Sequence, residues 1–235
     1  MFTYLRKIRK DLIKEGNLKR YLTYAAGEVI IVVIGILLAL YVNNWNQERT
    51  ENKLELQYYQ SIKDQLNEDF NTLNGEIAYN QNFLNQFSFA KKLILLNDKS
   101  KIDSLGKITL NMVRFSDFRR KSNIYLTLVN SGEIVLIRNN KITEKLQSLE
   151  ENYTYINRLE ENHASIIFSQ IIPEITQIIQ FDPIKIMDMN FLFSYKFQNS
   201  FDLLIVLMIE KMDVYKQAQN EIVSIIKLID KELNN

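Results

Sequence analysis

The run Val29 to Val42 (VIIVVIGILLALYV) holds fourteen residues without a polar interruption. Extended to the flanking aromatics it becomes Tyr21–Trp45, 25 residues with a single charge, Glu28. As a helix rising about 1.5 Å per residue, it reaches roughly 37 Å, enough to cross a hydrocarbon core of about 30 Å. Tyr21 and Tyr24 stand at one edge and Tyr41 and Trp45 at the other, where interfacial aromatic anchors sit. Two blander readings compete. A cleaved signal peptide has an h-region of this length but needs small residues at its cleavage site, and Ala39-Leu40-Tyr41 places a bulky one there. A buried helix of a soluble core also tolerates 10–14 apolar residues, but it explains neither the aromatic edges nor the charge beside the run.

That charge is asymmetric. Residues 1–20 carry Arg6, Lys7, Arg9, Lys10, Lys14, Lys19 and Arg20 against Asp11 and Glu15, although the whole chain is nearly balanced at 29 basic and 28 acidic residues. Positive residues beside a span stay in the cytoplasm, so residues 1–20 are expected as a basic cytoplasmic segment. Residues 21–45 are then a transmembrane helix, and 46–235 a translocated domain, periplasmic in a bacterium. The sequence has no Cys, which excludes disulfides and thiolate chemistry, and only six Gly and two Pro, too few for the reversals of a strand-rich fold. The expected fold class is therefore all-α: one N-terminal transmembrane helix followed by an extracytoplasmic antiparallel helical bundle.

Three positions in the span are candidate helix-packing or partner contacts. Gly35 and Ala39 form a small-xxx-small pair that lets helices approach closely, a pattern also frequent by chance. Glu28 lies about 10 Å along the axis from Tyr21, where a carboxylate can snorkel to the interface or pair with a partner helix.

Tyr24–Glu48 (YAAGEVIIVVIGILLALYVNNWNQE) resembles the N-terminal signature of a family of uncharacterised membrane proteins from Bacteroidota, a domain of unknown function. Gly27, Glu28, Val33, Ile34, Gly35, Ile36, Leu37, Ala39, Leu40, Asn43, Asn44, Trp45 and Asn46 carry the resemblance, and Val129–Asn140 (VNSGEIVLIRNN) is similar to a second element of that family. The resemblance implies a single-span topology and an inner-membrane location. It implies no activity.

Beyond Trp45, Ile62, Leu66, Phe70, Leu73, Ile77, Leu84 and Phe87 recur mostly at steps of three and four, the stripe of an amphipathic helix, with Gly75 as a break or a weak point. Asn97–Gly106 reads as a loop, Lys107–Val113 as the start of a short helix or an extended link, and Phe118-Arg119-Arg120-Lys121 as a solvated basic loop. Ser131-Gly132 is a turn and Asn139-Asn140 a cap for a helix from about Lys141 to Ile171. That helix has Ile142, Leu146, Leu149, Tyr153, Ile156 and Leu159 on one face and ends near Pro173. Phe181-Asp182-Pro183 opens another loop, and a last helix is expected over Ser200–Leu233.

The search for chemistry returns little. His163 is the single histidine, so the Glu160-x-x-His163 spacing cannot build a di-iron site, and an ordinary histidine is the favoured reading. The acids Glu150-Glu151 and Glu160-Glu161 read as solvating a helix. Phosphate-loop, dinucleotide, zincin and EF-hand motifs are absent, so no catalytic, cofactor-binding or metal residue is assigned and no cofactor is expected. Without a basic translocated surface, nucleic acid is not an expected partner. The expected partners are the lipid bilayer and either another protein or a second copy. The favoured function is a non-catalytic scaffold, assembly factor or accessory subunit acting through protein contacts. An extracytoplasmic sensor that signals through a partner membrane protein is the alternative.

Overall fold

The computed structural model describes residues 18–234. Residues 1–17 of the basic segment, and the side chains of Arg20 and Tyr21, lie outside the described residues. The chain is overwhelmingly helical. Helix α1 spans Leu18–Leu95, followed by α2 (Ile102–Leu110), α3 (Ile124–Ser131), α4 (Asn140–Ile166), α5 (Ile172–Ile178), α6 (Met189–Leu192) and α7 (Tyr195–Leu233). Two compact units divide between Leu54 and Glu55, and α1 contributes residues to both.

In the first unit α1 is apolar and exposed. Val29, Ile31, Leu37 and Tyr41 lie open, and the most apolar window of this helix is wholly unburied. A helix this apolar, with its most apolar window unburied among the described residues, is a candidate membrane span by length and composition.

In the second unit the expected stripes become the core. Ile62, Leu66, Leu73 and Phe87 of α1 are buried, and Phe70, Ile77 and Leu84 pack partly. All six expected apolar positions of α4 are buried, and α4 packs along α7. Two apolar clusters result. One gathers Phe83–Ile94 of α1 with residues from α2, α5 and the first half of α7. The other gathers Tyr59–Leu73 of α1 with α3, α4 and the second half of α7. Of the apolar run Leu203–Ile209 only Leu204 and Met208 are fully buried, while Val206 and Ile209 face solvent, as one helix face requires.

Capping chemistry sets several boundaries. Asn139 accepts from the Lys141 N–H at 3.1 Å to start α4, and Ser194 accepts from the Phe197 N–H at 3.2 Å, starting α7 five residues before the expected Ser200. Gly132 closes α3 at φ +77°, a left-handed conformation that suits glycine. Four local expectations change. The supposed loop Asn97–Gly106 is helical from Ile102, because Leu105 and Ile108 bury there. Gly106 lets Ile186 approach, with a Cβ on it only 3.3 Å from the Ile186 Cδ1. Helical structure continues past Pro173, because a π-helical segment, Ile167–Ile171, precedes α5 and places the proline in its first turn, where its missing N–H costs least. Phe181-Asp182-Pro183 is part of a hairpin, with β1 (Ile179–Phe181) antiparallel to β2 (Ile184–Ile186) and Phe181 opposite Ile184. Finally, Gly75 is no break.

Gly75 sits inside α1 with nothing within 4 Å of an added Cβ. Gly75→Ala is therefore expected to stabilise the second unit by about 0.5–1 kcal/mol. An unfolding midpoint for the full chain in mild detergent that did not rise would contradict this.

Candidate functional site

Each long element that runs through both apolar clusters changes character between them. On α1, Asn80 falls between Leu73 and Phe83; on α4, Glu160 and His163 fall between Ile156 and Ile167; on α7, Lys211 falls between Met208 and Tyr215. The loop after α2 adds Ser116, between Met112 and Phe118. All five side chains are buried, Lys211 at 2% exposure and Glu160 at 5%. Buried charges persist only when paired and hydrogen-bonded, and this polar layer is connected.

Lys211 Nζ donates to Ser116 Oγ at 2.7 Å, and Asn80 Nδ2 donates to the same oxygen at 3.0 Å. These two bonds occupy both acceptor positions of the hydroxyl. Ser116 therefore donates to Tyr215 OH, 2.9 Å away, and Tyr215 donates to Glu160 Oε1, which also accepts from the Phe118 N–H at 2.9 Å. Every donor in the chain points from the ammonium towards the carboxylate. Burial pushes Glu160 above the usual carboxylate range, the Tyr215 donor opposing it. Burial also brings Lys211 down to about 8, with Glu160 and Glu76 resisting. The spacing of Ser116 and Lys211 is that of a Ser–Lys pair, but a hydroxyl with both acceptor positions filled and 1% exposure has no lone pair to present to a substrate.

His163 is the exception in this layer. Neither ring nitrogen has a hydrogen-bond partner among the described residues, and the ring is fully buried near Phe115. Burial, reinforced by Lys211, lowers it to about 3 and holds it neutral.

One side of the polar layer opens into a cleft of about 810 Å³. The loop between Phe115 and Asn123 forms one wall; Asn157, Glu160, Glu161 and Ala164 of α4 form the other. The loop is fastened along its length. Phe118 is buried against Tyr153, Arg120 reaches Glu150 at 2.5 Å and lies over the Tyr153 ring, and Asn123 caps α3 while donating to Glu150 at 3.1 Å. The basic run 118–121 is thus a structured wall. Glu150 and Glu160, expected as solvating acids, face inward and hold it. Beneath, Tyr153 OH donates to buried Asp69 at 3.1 Å, and burial raises that carboxyl too.

The candidate residues of the span are set apart from this site. Glu28 lines a shallow groove of about 340 Å³ with Ala25, Val29, Val32 and Val33 of its own helix. Gly35 has open space around it, Ala39 is exposed, Tyr24 is half-buried, and Trp45 is exposed. The Tyr21 side chain lies outside the described residues. Sequence reasoning missed Asn80, Ser116, Lys211 and Tyr215 entirely. The signal that points to two of them is phase: Leu204, Met208, Lys211, Tyr215, Ala218 and Ile222 recur at alternating steps of four and three, which places Lys211 and Tyr215 on the core stripe.

No curated protein and no solved structure matches the chain. Residues 28–170, 143 of the 235, match the model of a family of unknown function. That stretch holds most of the apolar segment, the loop wall and the α4 wall of the cleft, and the chain belongs to this family, DUF6090.

Proposed function

We propose that this chain is a membrane-anchored, non-catalytic helical protein whose domain beyond the apolar segment binds a small polar ligand. In this reading the segment spans a bacterial inner membrane, in the Bacteroidota. The basic N-terminus is cytoplasmic and an antiparallel helical bundle is periplasmic. In the same reading, occupancy is passed to a partner membrane protein through the apolar segment. The cleft of about 810 Å³ carries the proposal. Its size suits a small-molecule site, and its loop wall is tied by the Phe118 N–H to the buried charge layer. A ligand that displaced that loop would disturb charges deep in the domain. On sequence grounds the scaffold reading is favoured; the cleft is what supports the ligand-binding reading proposed here.

Thermal melts of the full chain in mild detergent, across periplasmic metabolites and ions, test the proposal. At least one compound is expected to raise the midpoint, because a ligand at about 100 times its Kd stabilises by roughly 2.7 kcal/mol. Ala164→Trp, which places an indole in the cleft, is expected to reduce the shift. A flat response across the panel would remove the sensor reading.

The scaffold reading keeps one specific support, the open Gly35 and exposed Ala39 face in an unpartnered apolar helix. It predicts a stable oligomer or a co-purifying protein in mild detergent, and a chain recovered only as a monomer would sink it.

A further inference from the structure

The charges lining the cleft are unequally satisfied. Arg119 spends both Nε and Nη2 on Asp117, at 2.7 and 2.6 Å. Arg120 is committed to Glu150 and the Tyr153 ring, and Lys121 reaches towards Glu68 at 3.9 Å. Each cation of the loop wall thus already has a carboxylate. The opposite wall differs. Glu161 has no ion pair or hydrogen bond among the described residues, although it lines the cleft. Glu160 is 95% buried and engages protein donors through Oε1 alone, from Tyr215 and the Phe118 N–H. Its Oε2 accepts no hydrogen bond from the described residues, and Glu160 is one of the residues that line the cleft. A carboxylate bonded on one oxygen and bare on the other, at the wall of a cavity, is a half-used acceptor.

We propose that this cleft takes a small organic cation carrying N–H donors, a primary ammonium, seated on Glu160 Oε2 with Glu161 beside it and the half-buried Phe115 ring in the facing loop wall. The inference rests on the ligand-binding reading above. The relay from Lys211 through Ser116 and Tyr215 delivers only donors to Oε1, so it holds Glu160 as an acceptor and leaves Oε2 to the ligand. Charge-assisted bonds of this kind are shorter and stronger than neutral ones, and an ammonium over an aromatic face adds attraction. An anionic ligand on Arg119 or Arg120 would have to displace an existing carboxylate, which leaves it only Lys121, 3.9 Å from Glu68.

Three probes of matched length distinguish the classes: 1,4-diaminobutane, butanedioate and 1,4-butanediol, each titrated calorimetrically into the full chain in mild detergent. The diamine is expected to bind, and the diacid and the diol to bind far more weakly. Glu160→Gln is expected to weaken diamine binding about 10- to 100-fold, the value of one hydrogen bond to a charged group. Glu161→Gln lies outside the buried relay, so it tests the same wall without threatening the fold, and it is expected to weaken binding several-fold. Diacid or diol binding that is weakened in Ala164→Trp would overturn the cation assignment and leave the cleft reading standing. Binding of none of the three would overturn the assignment and also count against the cleft. Diamine binding unchanged in both Glu160→Gln and Glu161→Gln would place the cation elsewhere and overturn the proposal.

Discussion

Lys211→Met will destabilise the second unit by about 3–5 kcal/mol, because it leaves the buried Glu160 carboxylate without the only buried cation near it among the described residues. Glu160→Gln in that background will recover much of the loss. A glutamine carbonyl still accepts from Tyr215 and from the Phe118 N–H, while the uncompensated charge is gone. The double-mutant cycle, read as urea midpoints of the full chain in mild detergent, is expected to give a coupling of about 2 kcal/mol. Additivity within about 0.5 kcal/mol would show that the two residues do not act as one unit. The pH dependence supplies a second check. Lys211 falls from 10.5 to about 8 on folding, so between those values the unfolded state binds more protons and stability rises with pH. Lys211→Met should lose that rise. Glu160 is raised, so its contribution is full below the ordinary carboxylate value of 4.5 and is lost as pH climbs through the raised one.

His163→Leu will stabilise the protein most in acid. The folded ring titrates near 3 and the unfolded ring near 6.5, so between these values the unfolded state holds a proton that the folded state cannot. Stability contributed by this residue falls by about 1.4 kcal/mol for each pH unit below 6.5. At pH 7.5 the leucine variant should exceed the parent by about 1 kcal/mol, since two orphaned ring nitrogens are removed, and at pH 4 by about 4 kcal/mol, once the proton linkage is added. Glu76, Asp69 and Glu160 are all raised by burial, so they slope the other way and cannot mimic this limb. Identical acid profiles for the two proteins would assign the loss to another group.

The helices were legible wherever one periodic face met a core. The stripes on α1 and α4, the Asn139 cap and the Gly132 turn are all in the sequence because each depends on neighbours within one or two turns. The helix from Ile102 was hidden by a polar surface: Asp98, Lys99, Ser100 and Lys101 mask Leu105 and Ile108, whose burial is decided by distant partners. The short hairpin was hidden because three-residue strands carry too little pattern to separate from a loop. Continuation past Pro173 needed the π-helical segment, which leaves no compositional mark. The candidate site was least legible. Glu160 and His163 continue the α4 stripe by steps of four and three after Ile156, so their phase was available, but residue type argued for the surface. The cleft depends on residues 115–123 meeting α4 through Arg120–Glu150 and Phe118–Glu160, contacts 30 and 42 residues apart in the chain. Nothing local encodes such a meeting.

The sequence contains one tryptophan, Trp45, exposed at the border of the apolar segment, while every aromatic of the two cores is Tyr or Phe. Light absorbed at the red edge of the protein spectrum is therefore taken up by a single indole. Its emission colour and its quenching by brominated lipid report how deep that border sits. The natural chain thus carries an optical label for the membrane border without any substitution.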